Sequence, residues 1–199
     1  MTKALHLANN TKSFHVIMNN RITVIITKRL VIRKFNKNDY ADLYEYLSDK
    51  QTYKYEPGKP ITAEKSKNLC FERSKNSIFL AVELKTENKL IGHIYFNKIE
   101  PKNLLTYEIG YIFNKKYQGK GYATEAIREF IKLQFSKFDI HKIIAHCNPQ
   151  NRKSWRLLER LGFKREGKLR KNIFFRRDKD GNPVWLDTYE YGFLREDFR

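Results

Sequence analysis

Apolar and β-branched residues come in short runs at 22–26, 30–33, 78–84, 90–96 and 107–113, each bounded by polar or turn residues, which predicts strands. A turn at Glu87-Asn88-Lys89 joins the third and fourth of them in a meander, and 107–113 is the next strand. Helices interrupt this series. Asn38-Asp39 precedes apolar residues at Tyr40, Leu43, Tyr44 and Leu47, the pattern of an N-capped amphipathic helix, and Thr62 precedes a second helix carrying Leu69, Cys70 and Phe71. Later, Ala123, Ala126, Ile127, Phe130, Ile131, Phe135 and Phe138 follow a 3.6-residue period, so this helix packs on the sheet. Residues 143–147 read as a buried strand. Asn151 caps a further helix that ends at Gly162, with Leu158 and Leu161 four and seven positions beyond Ser154, which turns Ser154 toward the packed side. The tail from Phe174 through Asp180-Gly181-Asn182-Pro183 to Tyr191 reads as a hairpin. The sum is one mixed α/β domain over residues 21–199 with helices on both faces, preceded at 1–20 by an extension of uncertain order.

Composition agrees with a single core: 199 residues, 41% hydrophobic and 14% aromatic, are enough to bury one. No apolar run approaches the roughly 18 residues of a membrane span, and no signal-peptide block opens the chain, so a cytoplasmic protein without a membrane partner is expected by elimination. Cys70 and Cys147 suggest a reduced compartment, and His6, His15, His93, His141 and His146 show no metal-ligand spacing, so no metal is expected.

The formal net charge of +18 fits three readings. It could serve ribosome or nucleic-acid association, steer an acidic acceptor, or simply solvate a lysine-rich surface. The last suits a charge spread along the chain, and no RNA-recognition motif is present, so nucleic acid is not the expected partner. One cluster, Lys164, Arg165, Lys168, Arg170, Lys171, Arg176 and Arg177, fringes a cleft or forms an ordinary exposed hairpin.

The chemistry concentrates at 117–124, between the strand at 107–113 and the long helix. Gly119 and Gly121 let successive amides face one point, and the helix adds its unpaired N–H groups and dipole, which together make an anion site fit for a pyrophosphate. Neither a Walker loop nor a dinucleotide fingerprint is present. Gln118, Gly121 and Ala123 do match a Gln/Arg-x-x-Gly-x-Gly/Ala signature, and Asn151-Arg152-Lys153-Ser154 followed by Leu161-Gly162-Phe163 matches an Asn-x-x-Ser element with its Leu-Gly-Phe ending. With Ile109-Gly110-Tyr111 before the loop and Asp187 and Tyr189 near the end, the chain from about Arg21 onward resembles the GNAT superfamily of acetyl-CoA-dependent N-acetyltransferases, in the branch of the ribosomal-protein N-terminal alanine and serine enzymes.

The resemblance implies a mostly antiparallel mixed sheet with a splayed strand pair, here 107–113 and 142–147. Acetyl-CoA is the implied co-substrate and an amine-bearing molecule, a protein N-terminus or a small amine such as an antibiotic, the implied partner. The backbone of Tyr111, Ile112 and Phe113 is expected to bind the pantetheine, the amides of Gln118, Gly119, Lys120, Gly121, Tyr122, Ala123 and Thr124 the pyrophosphate, and Asn148 and Asn151 the cofactor arm. Turn and capping bonds are the alternative for both asparagines. Ser154 is the candidate to assist the leaving thiolate, and Glu108 to relay the amine's proton, with a structural ion pair the alternative for Glu108. The carboxylate that some relatives carry shortly after the position of Glu166-Gly167 is missing from 168–177. Cys147 lacks a base and is a poor acyl carrier. A homodimer is compatible with the sequence. The competing reading is a basic ribosome- or RNA-binding module that keeps the fold without catalysis.

Overall fold

In the computed structural model, which describes residues 15–19 and 22–198, nine strands form one sheet. They are β1 (His15–Asn19), β2 (Ile22–Ile26), β3 (Leu30–Lys34), β4 (Phe79–Leu84), β5 (Lys89–Lys98), β6 (Thr106–Phe113), β7 (Lys142–Cys147), β8 (Lys164–Arg177) and β9 (Pro183–Leu194). Their spatial order is β1-β2-β3-β4-β5-β6-β7-β9-β8. Of the expected extension at 1–20, residues 1–14 and 20 lie outside the described residues, and β1 pairs with β2.

Strand β5 is buried on both faces, because helices cover the sheet on each side. Leu90 joins a core with Phe35, Leu43, Tyr46, Leu47 and Cys70 under α1 (Tyr40–Leu47) and α2 (Ala63–Ser74). Ile91 and Ile94 join the larger core under α3 (Tyr122–Lys137) and α4 (Arg152–Leu161), with Ile109, Ala126, Ile127, Phe130 and Ile143. No described helix is long and apolar enough to cross a membrane.

Three local expectations shift. The side-chain cap near α1 belongs to Asn36, whose Oδ1 accepts from the Asn38 amide at 2.8 Å, while Asp39 is buried and pairs with Arg33. Tyr40 and Tyr44 are exposed and Tyr46 is buried in their place, since the stripe facing the sheet is Leu43, Tyr46 and Leu47. Phe138 is 53% exposed because α3 ends at Lys137 and the chain there turns extended. The C-terminal hairpin is longer than its sequence signal, and the basic cluster lies along β8, the outermost strand.

Every adjacent strand pair is antiparallel except β6 and β7, which α3 connects as a crossover. Their parallel register covers only Thr106↔Lys142, Tyr107↔Ile143 and Glu108↔Ile144. Beyond it β6 stays with β5 as far as Phe113↔Gly92, while β7 stays with β9 as far as Cys147↔Tyr189. A V-shaped gap therefore opens toward the C-terminal ends of both strands.

The β5 side of this gap depends on Gly92. A Cβ there would stand 2.6 Å from the Ile112 carbonyl oxygen and 2.7 Å from Phe113 Cδ1, and the carbonyl is backbone that cannot swing aside. Gly92→Ala should lower stability by about 1–3 kcal/mol, the usual cost of overpacking. Urea unfolding checks this through a lower midpoint at unchanged slope.

Candidate functional site

The loop after β6 becomes an anion cradle through its backbone. Gly119 and Gly121 have φ of 80° and 81°, in the left-handed region, and Gly121 opens α3 without offering a side-chain cap. The first bond within the helix runs from the Glu125 amide to the Gly121 carbonyl at 3.0 Å, which leaves the N–H groups of Tyr122, Ala123 and Thr124 free of helical partners. They sit at the positive end of a 16-residue helix.

This cradle is tied to the turn between β2 and β3. Glu125 accepts from Thr27 Oγ1 at 2.6 Å, from the Arg29 amide at 2.8 Å and from Arg29 Nε at 2.6 Å. Arg29 also donates through Nη1 to the Lys120 carbonyl at 2.9 Å and lies over the Tyr122 ring. Burial alone would raise the Glu125 carboxyl, but the bonds from Thr27 and Arg29 outweigh it and hold the group below its ordinary value. On the other side, Gln118 Nε2 donates to the Phe113 carbonyl at 2.9 Å, which fixes the loop to the end of β6.

A cleft of about 1220 Å³ runs from this loop along the end of β6 to the start of α4 at Ser154. Basic side chains crowd the loop end, with Arg29, Arg128, Lys153, Arg156 and Arg160 all in its wall. A diphosphate with an attached phosphate fits such a lining, and the free amides supply directed donors. Deeper in, the Tyr111 hydroxyl crosses from β6 to α4 and meets Ser154 Oγ at 3.0 Å and the Ser154 carbonyl at 3.2 Å. Burial raises the Tyr111 phenol, which therefore stays protonated as a donor. The helix α4 that carries Ser154 is braced from behind: Glu159 accepts from Tyr191 Oη at 2.9 Å and from Arg165 at 3.0 Å.

Of the residues singled out by sequence, Tyr111, Ile112, Phe113, Gln118, Gly119, Gly121, Tyr122, Ala123, Thr124, Asn151 and Ser154 line this cleft together. Lys120, Asn148 and Glu108 do not line it. Lys120 contributes its carbonyl to Arg29, and its ammonium lies 5.5 Å from the Tyr117 ring centroid. Asn148 accepts from the Gln150 amide at 2.9 Å as a turn residue. Asn151 caps α4, accepting from the Ser154 amide at 3.3 Å, and still reaches the cleft wall.

Glu108 accompanies His146. His146 Nδ1 lies 2.9 Å from Glu108 and Nε2 lies 3.0 Å from Glu190, so one imidazole bridges carboxylates of β6 and β9. The hydrogen bond to Glu108, reinforced by that to Glu190, raises the imidazole above its ordinary value despite partial burial. Cys147 is buried, and burial pushes its thiol up to about 12, so it is no nucleophile at neutral pH. Among the described residues no group of three or more His, Cys, Asp or Glu is arranged to hold a metal ion.

Sequence reading missed three participants. Arg29 and Glu125 lie 96 positions apart, and neither stands out alone. Glu56, in the loop before α2, lines the cleft with Tyr111 and Ser154. The only signal for it was the Tyr-rich, Pro-bounded character of that loop. Tyr55 also lines the cleft, whereas Tyr53 packs on the α1–α2 core and donates to the Leu47 carbonyl at 2.9 Å.

Comparison with known proteins agrees with this geometry. Residues 29–164 match the family described as acetyltransferase (GNAT) domain. An uncharacterized N-acetyltransferase of Bacillus subtilis, YnaD, is 40% identical over 87% of this chain and 98% of its own length. The ribosomal protein uS5 alanine N-acetyltransferase of Escherichia coli is 27% identical over 72% of this chain and 79% of its own. A crystal structure of a GNAT-family acetyltransferase from Bacillus anthracis superposes with a TM-score of 0.78 at 40% identity, covering 87% of this chain and 99% of that one.

The Glu125 anchor carries a pH signature. A carboxyl held below its unfolded value contributes stability in full above that value, near 4.5, and loses it as pH falls through the folded value. Glu125→Gln should therefore be less stable than wild type at about pH 6, with the gap closing toward about pH 3. Urea midpoints of both proteins along that range give the comparison, and a gap constant in pH would contradict the anchor.

Proposed function

The chain belongs to the GNAT acetyltransferases, and on that premise we propose that it moves the acetyl group of acetyl-CoA by direct attack of a primary amine held at the inner end of the β6–β7 gap. The observation that carries this reading is the placement of the amide cradle of Gly119 to Thr124 at the mouth of a cleft lined by β6 beyond the point where it parts from β7. Coenzyme A supplies a thioester that is activated toward amines and an anionic handle for binding.

The protein's part is positioning. Amides of residues 119–124 with Arg156, Arg160 and Lys153 would hold the phosphates, and the backbone of Tyr111, Ile112 and Phe113, which no strand covers on the β7 side, would pair with the pantetheine amides. Fixing two reactants this way accounts for much of a barrier reduction without any covalent enzyme intermediate. Ser154 is the proton donor to the departing sulfur, with the Tyr111 phenol hydrogen-bonded behind it. As for the acceptor, similarity to the uS5 alanine enzyme favours a protein N-terminal amine. Glu108, held by His146 outside the cleft lining, then has the role of shaping the acceptor's approach along the open sheet face.

Two measurements test this. Gly121→Glu places a carboxylate in the cradle and should abolish calorimetric binding of coenzyme A, while wild type binds; retained affinity would put the phosphates elsewhere. Ser154→Ala should lower kcat in a thiol-release assay by about 100-fold, the lower end of general acid catalysis, with little change in the KM for acetyl-CoA. An unchanged kcat removes Ser154 from the proton path.

A further inference from the structure

Four carboxylates line the cleft, and three of them have local work. Asp49 accepts from the Gln51 amide at 2.9 Å, Glu125 is bound by Thr27 and Arg29, and Glu129 lies on α3 beside Arg128 and Lys132. Glu56 differs. Its carboxylate has no hydrogen-bond or ion-pair partner among the described residues, although the loop that carries it lies over the gap between β6 and β7. The titratable groups facing it are the Tyr111 phenol from β6 and the Cys147 thiol from β7, both kept neutral by burial, and α4 adds Ser154 to the same stretch of wall. On its own loop, Lys54 and Tyr55 line the cleft, with the Lys54 ammonium 5.1 Å from the Tyr55 ring centroid.

A carboxylate without a partner among the described residues, set beside a phenol and a hydroxyl, stabilises no part of the fold, and it stands where an incoming cation would meet a counter-charge. We propose that Glu56 is the base of the reaction, taking a proton from the α-ammonium group of the acceptor where the β6–β7 gap meets the Ser154–Tyr111 pair. This assignment rests on the acetyl-transfer reading and completes it. The ammonium gives one proton to the Glu56 carboxylate and becomes a free amine. Its lone pair forms the N–C bond at the thioester carbonyl, and the C–S bond breaks with its electron pair on sulfur. Sulfur takes the Ser154 hydroxyl proton, Ser154 is replenished by the proton the new amide nitrogen sheds, and Glu56 returns its own to solvent.

The environment suits this exchange. Burial raises the Glu56 carboxyl to about 7, and no cation among the described residues brings it down. An α-amine titrates at about 7.7–8.0 and a lysine amine at about 10.4, so proton transfer to such a base is close to balanced for the first and a few hundredfold less favourable for the second, about 250–500-fold. The acceptor class that follows is a chain N-terminus in preference to a lysine side chain or polyamine.

The experiment uses the whole protein with acetyl-CoA and two probe peptides of one sequence, beginning in alanine and containing one lysine. One has a free N-terminus and the other an acetylated one. Wild type should release thiol with the first probe, and its kcat/KM should fall on an acid limb centred near 7. Glu56→Gln should lose about 100-fold in that rate and lose the acid limb, yet bind coenzyme A within about twofold of wild type, as expected for a residue removed from proton transfer alone. Preference for the blocked peptide, a Glu56→Gln enzyme with the wild-type rate and limb, or a loss carried by Glu108→Gln in its place would overturn the assignment. A second readout needs no acceptor: carboxyl-carbon NMR of glutamate-labelled protein, with and without coenzyme A, should contain one resonance titrating near 7 that Glu56→Gln removes. Titration of that resonance in the ordinary range near 4.5 overturns the proposal. Failure to bind coenzyme A at all would instead refute the acetyl-transfer reading, while the NMR titration still reports on Glu56.

Discussion

The parting of β6 from β7 after three paired residues is the constraint on which everything else depends. A strand inside a sheet normally satisfies its backbone on both sides, and β6 from residue 109 onward has a strand partner only in β5. That exposed ladder edge is costly to bury and prone to unwanted pairing, so the fold keeps it at the floor of a cleft where an extended, amide-bearing ligand can take the missing strand's place. In the proposed reading, function is the completion of an interrupted sheet.

Holding the gap open takes bracing at both ends. At the mouth, Arg29 and Thr27 grip Glu125 and so fix the start of α3 against the β2–β3 turn. Toward the inner end, Tyr111 reaches across to Ser154, and the α4 helix is locked from behind by Glu159, Arg165 and Tyr191. Apart from the Glu159–Arg165 pair, these contacts join segments far apart in sequence, which couples cradle geometry to the stability of the whole domain. The pH dependence of the Glu125 contacts and the placement of Tyr111 are thus two views of one scaffold.

Local pattern made most of this fold legible. The 3.6-residue stripe of α3, the Asn151 cap and Gly162 end of α4, and the β-branched runs of β3 to β6 all carry signals within a window of a few residues. The amide cradle was legible for the same reason, since two glycines before a helix start state their backbone conformation almost directly. Long-range pairings were not. Arg29 and Glu125 are ordinary surface residue types until the sheet brings them together, and His146 looked isolated because its partners Glu108 and Glu190 come from two other strands. Glu56 was hidden for a subtler reason: its distinguishing property is the absence of a partner among the described residues, which no sequence motif can encode.

Donor and acceptor ends are therefore built differently. The end assigned to the donor offers backbone amides and several positive charges, Lys153, Arg156 and Arg160 among them. The acceptor end relies on a few groups supplied by a loop and two strands, which is where one family diversifies its substrates. Amide hydrogen exchange with and without coenzyme A reads the interrupted sheet itself: residues 111–113 and 119–124 should exchange more slowly once coenzyme A is bound, with the edge strand β8 unchanged. Coenzyme A binding that leaves both of those segments unprotected would contradict the completion of the sheet by the ligand.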